Sequence, residues 1–181
     1  HEGVHYLYYL RKDTDHPYMY DGISLATSTD GVHFGEVGPI IEKRADADGM
    51  GSGAIWRAGG QFVLNFSEWR NGVQAIFFAV SDDLIHWQRL GDEYRSDPDP
   101  RWYDNTKIGR WDTIWAIPRP EGGFCGYLTA RPWLRTPGIV YESVGKVESE
   151  DGLHWLACSS LGHALASIAR MAVFKPYRVI T

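Results

Sequence analysis

Apolar and aromatic residues fall in short runs along this chain, divided by polar stretches rich in Gly, Asp and Pro. Val4-His5-Tyr6-Leu7-Tyr8-Tyr9-Leu10 is the first run, and Ile23 to Thr29 the second, with a polar loop between them. Glu42 to Gly51 reads as a further loop carrying Asp46 and Asp48. A denser group follows. Ser52 to Arg57, Gln61 to Trp69 and Val73 to Ser81 are strand-like, joined by Ala58-Gly59-Gly60 and Arg70-Asn71-Gly72. Asp92 to Lys107 is a polar connection with two prolines, which disfavour helix and remove backbone donors. The plan then repeats: Trp111 to Pro118, a turn at Glu121-Gly122-Gly123, Phe124 to Arg131, and Val140 to Ser149. After Trp155 the period changes. Leu161, Leu165, Ile168 and Ala172 are spaced as one face of a helix. The segment 161–173 therefore reads either as a helix capping the array or as a stretch altered or truncated relative to a natural fourth unit.

One phrase closes each group of strands. Ser28-Thr29-Asp30-Gly31-Val32-His33-Phe34, Ser81-Asp82-Asp83-Leu84-Ile85-His86-Trp87 and Ser149-Glu150-Asp151-Gly152-Leu153-His154-Trp155 share Ser, Asp, His and a terminal aromatic. Asp-Gly between strand-like flanks is a hairpin signal. A phrase recurring at this separation marks one supersecondary unit used several times. Its histidines, His33, His86 and His154, are expected to support the turn rather than to bind metal or act as bases. Chemistry is expected where the repeats differ.

The chain has 181 residues, 44% of them apolar and 14% aromatic, with 20 glycines. Many short strand-like runs with this composition point to an all-β fold. The formal charge is −5 and no basic cluster occurs, which argues against nucleic acid or an anionic membrane as partner. No apolar run is long enough to span a membrane. Cys125 and Cys158 fall in different repeats and set no disulfide framework. The chain opens at His1-Glu2-Gly3 without an initiator Met and reads as the middle of a longer product; localisation stays open.

The segments "HYLYYL", "GSGAIW" and "RWDTIW", with the SxDGxHW phrases, resemble the five-bladed β-propeller glycoside hydrolases, nearest to families 32 and 43. The resemblance covers about residues 1–157. It implies four-stranded antiparallel blades at about 1–50, 51–100 and 108–157, three of an expected five, with 158–181 as a non-repeat tail. It also implies three carboxylates on inner strands: a nucleophile or base, a general acid, and a third that stabilises the oxocarbenium-like state. Asp112, in Arg110-Trp111-Asp112-Thr113, is similar to the middle carboxylate of the family-32 "RDP" motif, with Trp inserted and Pro missing. Ser52 lies in a stretch similar to the family's "SGSA", which lines the sugar pocket. Trp56, Trp111 and Trp115 could stack on a sugar ring or fill the propeller core. Glu68 and Arg131 are expected as polar contacts to substrate.

By the same resemblance the nucleophile would precede His1, and the general acid would fall in 161–171, where no acid stands. The chain is thus expected to be an incomplete glycosidase acting on a fructoside, arabinoside or related sugar. The alternatives are a carbohydrate-binding propeller without catalysis and a structural repeat module for protein contacts. No cofactor or metal is implied. The expected partner is a carbohydrate, and exposed blade edges suggest self-association.

Overall fold

The computed structural model describes residues 1–12, 20–107, 109–133 and 142–158, which form three antiparallel sheets. The first contains β1 (His5–Lys12), β2 (Tyr20–Ser28) and β3 (Gly35–Glu42), in that order. The second contains β4 (Gly49–Met50), β5 (Ile55–Ala58), β6 (Gln61–Arg70), β7 (Val73–Ser81) and β8 (Gln88–Arg89). Here β4 and β5 both pair with β6, so two short strands share one inner position. A 3-10 turn, Asp92–Tyr94, leads on to the third sheet. That sheet runs β9 (Trp111–Pro118), β10 (Phe124–Ala130), β11 (Ser143–Ser149), β12 (Leu156–Cys158). The architecture is all-β, that of a partial β-propeller, as the strand pattern predicts. The helical spacing at 161–173 lies outside the described residues.

The strand β6 shows how the sheets stack. Its even positions Leu64 and Phe66 join Ile23, Ile41 and Phe77 in a core against the first sheet. Its odd position Val63 joins Trp56, Phe78, Trp111, Ile114 and Leu128 in a core against the third. Two buried faces explain why β6 and β7 read as continuous apolar runs rather than as alternations. The third sheet covers only one face. On the other, Trp115, Ile117, Tyr127, Val144 and Leu156 are exposed.

The repeated phrase forms the same turn each time. The serine hydroxyl accepts the N–H of residue four: Gly31 at 2.9 Å, Leu84 at 2.9 Å, Gly152 at 2.8 Å. One aspartate oxygen accepts the next two N–H groups, as Asp151 does from Leu153 and His154, both at 2.8 Å. The other oxygen pairs with the histidine Nδ1, at 2.8, 2.6 and 2.7 Å in the three copies. The histidines therefore serve the turn. Residue four is left-handed in every copy, with φ of 74° at Gly31, 66° at Leu84 and 78° at Gly152. That conformation suits Gly and strains Leu84.

In two copies the carbonyl of residue four also receives a donor from the preceding sheet. Tyr8 Oη donates to Leu84 O at 2.6 Å, and Trp56 Nε1 donates to Gly152 O at 3.1 Å. Burial pushes the Tyr8 hydroxyl well above its ordinary pKa. Each turn is thereby tied to the sheet before it.

Candidate functional site

The inner strands are where the three sheets differ. In the second sheet the inner position breaks between Met50 and Ile55. Gly53 makes the break possible: a Cβ there would stand 1.3 Å from Asn65 O. The predicted strand from Ser52 therefore starts only at Ile55. Asn65 is fully buried and fixes both neighbours. Its Nδ2 donates to Ala54 O at 2.8 Å and to Ile114 O at 3.0 Å, and its Oδ1 accepts Ile114 N–H at 2.9 Å.

In the third sheet the inner strand β9 is bulged. Its pairing with β10 jumps from Trp115↔Tyr127 to Asp112↔Thr129. Thr113 sits in the bulge with φ +52°, an outlier for a β-branched residue. The Thr113 hydroxyl donates to Ser52 O at 2.8 Å, which ties the bulge to the break in the second sheet. Bulges re-aim side chains beside functional sites. Here the side chain beside the bulge is Asp112.

Asp112 is 8% exposed and its partners come from two strands and a loop. Ser67 Oγ, on β6, donates to Oδ1 at 2.7 Å. Arg110 Nη2 donates to Oδ2 at 2.7 Å. Gln74 on β7 donates to Ser67 Oγ at 3.0 Å and accepts Trp111 N–H at 3.2 Å, which holds the serine in place. Gly51 leaves room for this contact, since a Cβ there would lie 2.3 Å from Ser67 Oγ and 3.1 Å from Asp112 Oδ1.

The carboxylate lies on the wall of a cavity of about 520 Å³. Ser52, Gly51 and Met50 line one side, Arg110 and Lys107 another, and Leu10, Tyr20 and Trp69 give apolar and aromatic surface. Asp48 is the second carboxylate on the wall, and its Oδ2 accepts Gly72 N–H at 2.8 Å. A half-enclosed cavity with an aromatic face and fixed polar groups suits a small polar ligand. Among the described residues, no three His, Cys, Asp or Glu side chains are grouped to hold a metal.

Of the residues expected from sequence, the structure brings Asp112 and Ser52 to this cavity. Trp56 and Trp111 lie in the core between the second and third sheets. Their indole N–H groups are spent on Gly152 O and, at 3.4 Å, on Ser96 Oγ. Trp115 is 66% exposed, on the open face of the third sheet. Glu68 is fully buried on the opposite face of β6 from Ser67, 2.8 Å from Arg89 and 3.5 Å from Arg70. The rings of Phe66 and Phe77 lie against those two guanidinium groups. Arg131 pairs with Glu142 at 3.7 Å, and its main chain accepts Asp104 N–H. Sequence reasoning did not select Trp69, Lys107 or Tyr20 for the cavity. The parity of β6, which puts Trp69 on the same face as Ser67, could have found the first.

No family model matches the sequence, and no curated protein sequence matches it. Solved structures do match. Fructan 1-exohydrolase IIa from Cichorium intybus aligns with a TM-score of 0.67 at 16% identity, over 87% of this chain and 29% of that one. A family 117 glycoside hydrolase from Zobellia galactanivorans aligns at 0.64 and 19% identity, over 88% of this chain and 53% of that one. The α-L-arabinanase of Penicillium chrysogenum aligns at 0.57 and 17% identity, over 84% and 44%. The chain therefore has the fold of the propeller glycoside hydrolases and spans 29% to 53% of the length of these relatives in structure.

Proposed function

We propose that this chain is part of a propeller glycoside hydrolase acting on a fructoside, arabinoside or related glycoside, with Asp112 as its middle carboxylate. The strained bulge at Thr113 carries this reading. It turns one carboxylate toward a cavity of sugar size and is tied by Thr113 Oγ1 to Ser52 O. A carboxylate held by Ser67 and Arg110 cannot swing away. It can therefore accept sugar hydroxyls and stand as a fixed anion beside positive charge growing on the ring in the transition state. Trp69 offers the ring a stacking face, and Ser52 a polar edge. Bond cleavage needs a paired acid and nucleophile or base. In this reading those groups come from outside the described residues.

A second reading, sugar binding without catalysis, is favoured by the small number of carboxylates at the cavity, Asp48 and Asp112 alone among the described residues. One experiment separates the two. The full natural polypeptide would be assayed on sucrose, fructans and aryl arabinosides, and the same preparation titrated with the free sugars. Hydrolysis that disappears in Asp112→Asn supports the enzyme. Binding without hydrolysis supports the binding module. Hydrolysis that survives Asp112→Asn, or no binding and no hydrolysis, would remove Asp112 from the site.

A further inference from the structure

We infer that the cavity selects a sugar bearing a negative charge, a carboxylate or a phosphate, and that Lys107 is the residue that selects it. The inference rests on the sugar-binding reading above and adds the class of ligand.

Charge on the cavity wall is unevenly spent. Asp112 has Ser67, Arg110 and Thr113 as partners, and Asp48 accepts the Gly72 N–H. Arg110 gives Nη2 to Asp112, while its Nε is buried with no partner and its Nη1 makes no hydrogen bond among the described residues. Lys107 has neither hydrogen bond nor ion pair among the described residues.

The loop that carries Lys107 is fixed by its own hydrogen bonds. Asp104 Oδ1 accepts the Thr106 N–H at 3.0 Å and the Thr106 hydroxyl at 2.6 Å, and Gly109 N–H closes on Thr106 O at 2.8 Å. The lysine stem lies over Gly72, where a Cβ would be 3.3 Å from Cγ and Cδ. Lys107 is exposed, and its ammonium is open to a ligand in the half-enclosed cavity. An anionic group on that ligand accepts a charge-assisted hydrogen bond from it, with Arg110 Nη1 on the same wall.

The test is calorimetric titration of the full chain with matched pairs: D-galactose against D-galacturonate, D-glucose against D-glucuronate, and D-fructose against D-fructose 6-phosphate. The anionic member of at least one pair is expected to bind about tenfold more tightly than its neutral partner at low salt, with the advantage shrinking as salt rises. Lys107→Gln should remove the advantage and leave the melting temperature unchanged. Lys107→Arg should keep most of it. A preference for uronates alone names carboxylate as the group, and for the phosphate alone, phosphate. Neutral sugars binding as tightly as the anionic ones, or an advantage that survives Lys107→Gln, would overturn the inference while sparing the sugar site. Failure of every sugar to bind would remove the sugar site as well.

Discussion

The turn aspartates and Asp112 are the same side chain put to opposite uses. Asp151 draws its hydrogen bonds from Ser149, Leu153 and His154, all within three residues. Asp30 and Asp83 do the same. Asp112 draws on Ser67, 45 residues away, and sits beside a threonine whose hydroxyl reaches Ser52, 61 residues away. A carboxylate satisfied by its own turn can be repeated wherever the chain must reverse. One satisfied by other strands exists only once the sheets have stacked. Repetition therefore marks local scaffold, and long-range satisfaction marks what only the stacked sheets can build.

That contrast can be broken at four points. The largest effect is expected at Glu68, a long-range carboxylate with no cavity. Glu68→Ala leaves Arg70 and Arg89 without their buried counter-charge, and urea unfolding should show a loss of about 3 kcal/mol. An unchanged midpoint would mean that the guanidinium groups find other partners. Asp112→Asn should act the other way round. On the glycosidase reading proposed above, hydrolysis by the full natural polypeptide should fall at least about 100-fold while the unfolding midpoint barely moves.

A smaller loss is expected from Ser67→Ala, which frees one oxygen of Asp112 and strands the Gln74 amide. Sugar affinity should drop by about fivefold, the worth of one hydrogen bond. Equal affinity would show that Arg110 alone orients the carboxylate. The smallest effect belongs to the turns. The His33 and His86 side chains, followed by backbone N–H groups, hold Asp30 and Asp83 well below the ordinary carboxylate range. For Asp151, partial burial acts upward but is outweighed by the His154 and Leu153 bonds. A folded pKa below the unfolded one, near 3.9, gives stability that is complete above that value and drains away as pH falls beneath it. Melting temperature should thus decline below about pH 4. The triple Asp→Asn variant should begin lower and show a flatter decline; a parallel decline would assign acid sensitivity to other carboxylates.

How much the sequence disclosed follows the same division. The sheets were legible because the turn chemistry is local: Ser, Asp and His within six positions announce each reversal. Asp112 and Ser52 were picked out by resemblance to a motif, and both lie on the cavity wall. The tryptophans were not separable by type, because indole rings serve cores and sugars alike. The N–H acceptors of Trp56 and Trp111, Gly152 and Ser96, lie 96 and 15 residues away, outside any local pattern. Glu68 looked like a polar contact at a strand end, and the parity of β6, which turns it away from Ser67, shows otherwise. The bulge at Thr113 left no mark in the sequence, since nothing in Trp-Asp-Thr-Ile announces a left-handed threonine.

The carbonyl at residue four of the second and third turns has a mechanical consequence. Tyr8 and Trp56 reach forward across the gap between sheets to grip Leu84 and Gly152. Each grip is one directional bond between neighbouring sheets. Between the second and third sheets it is not alone, since Asn65, Ser67 and Thr113 bond across the same gap. A pull that parts this pair must break several directional bonds together before the apolar core can open. Its separation would thus register as one abrupt release rather than a gradual peel.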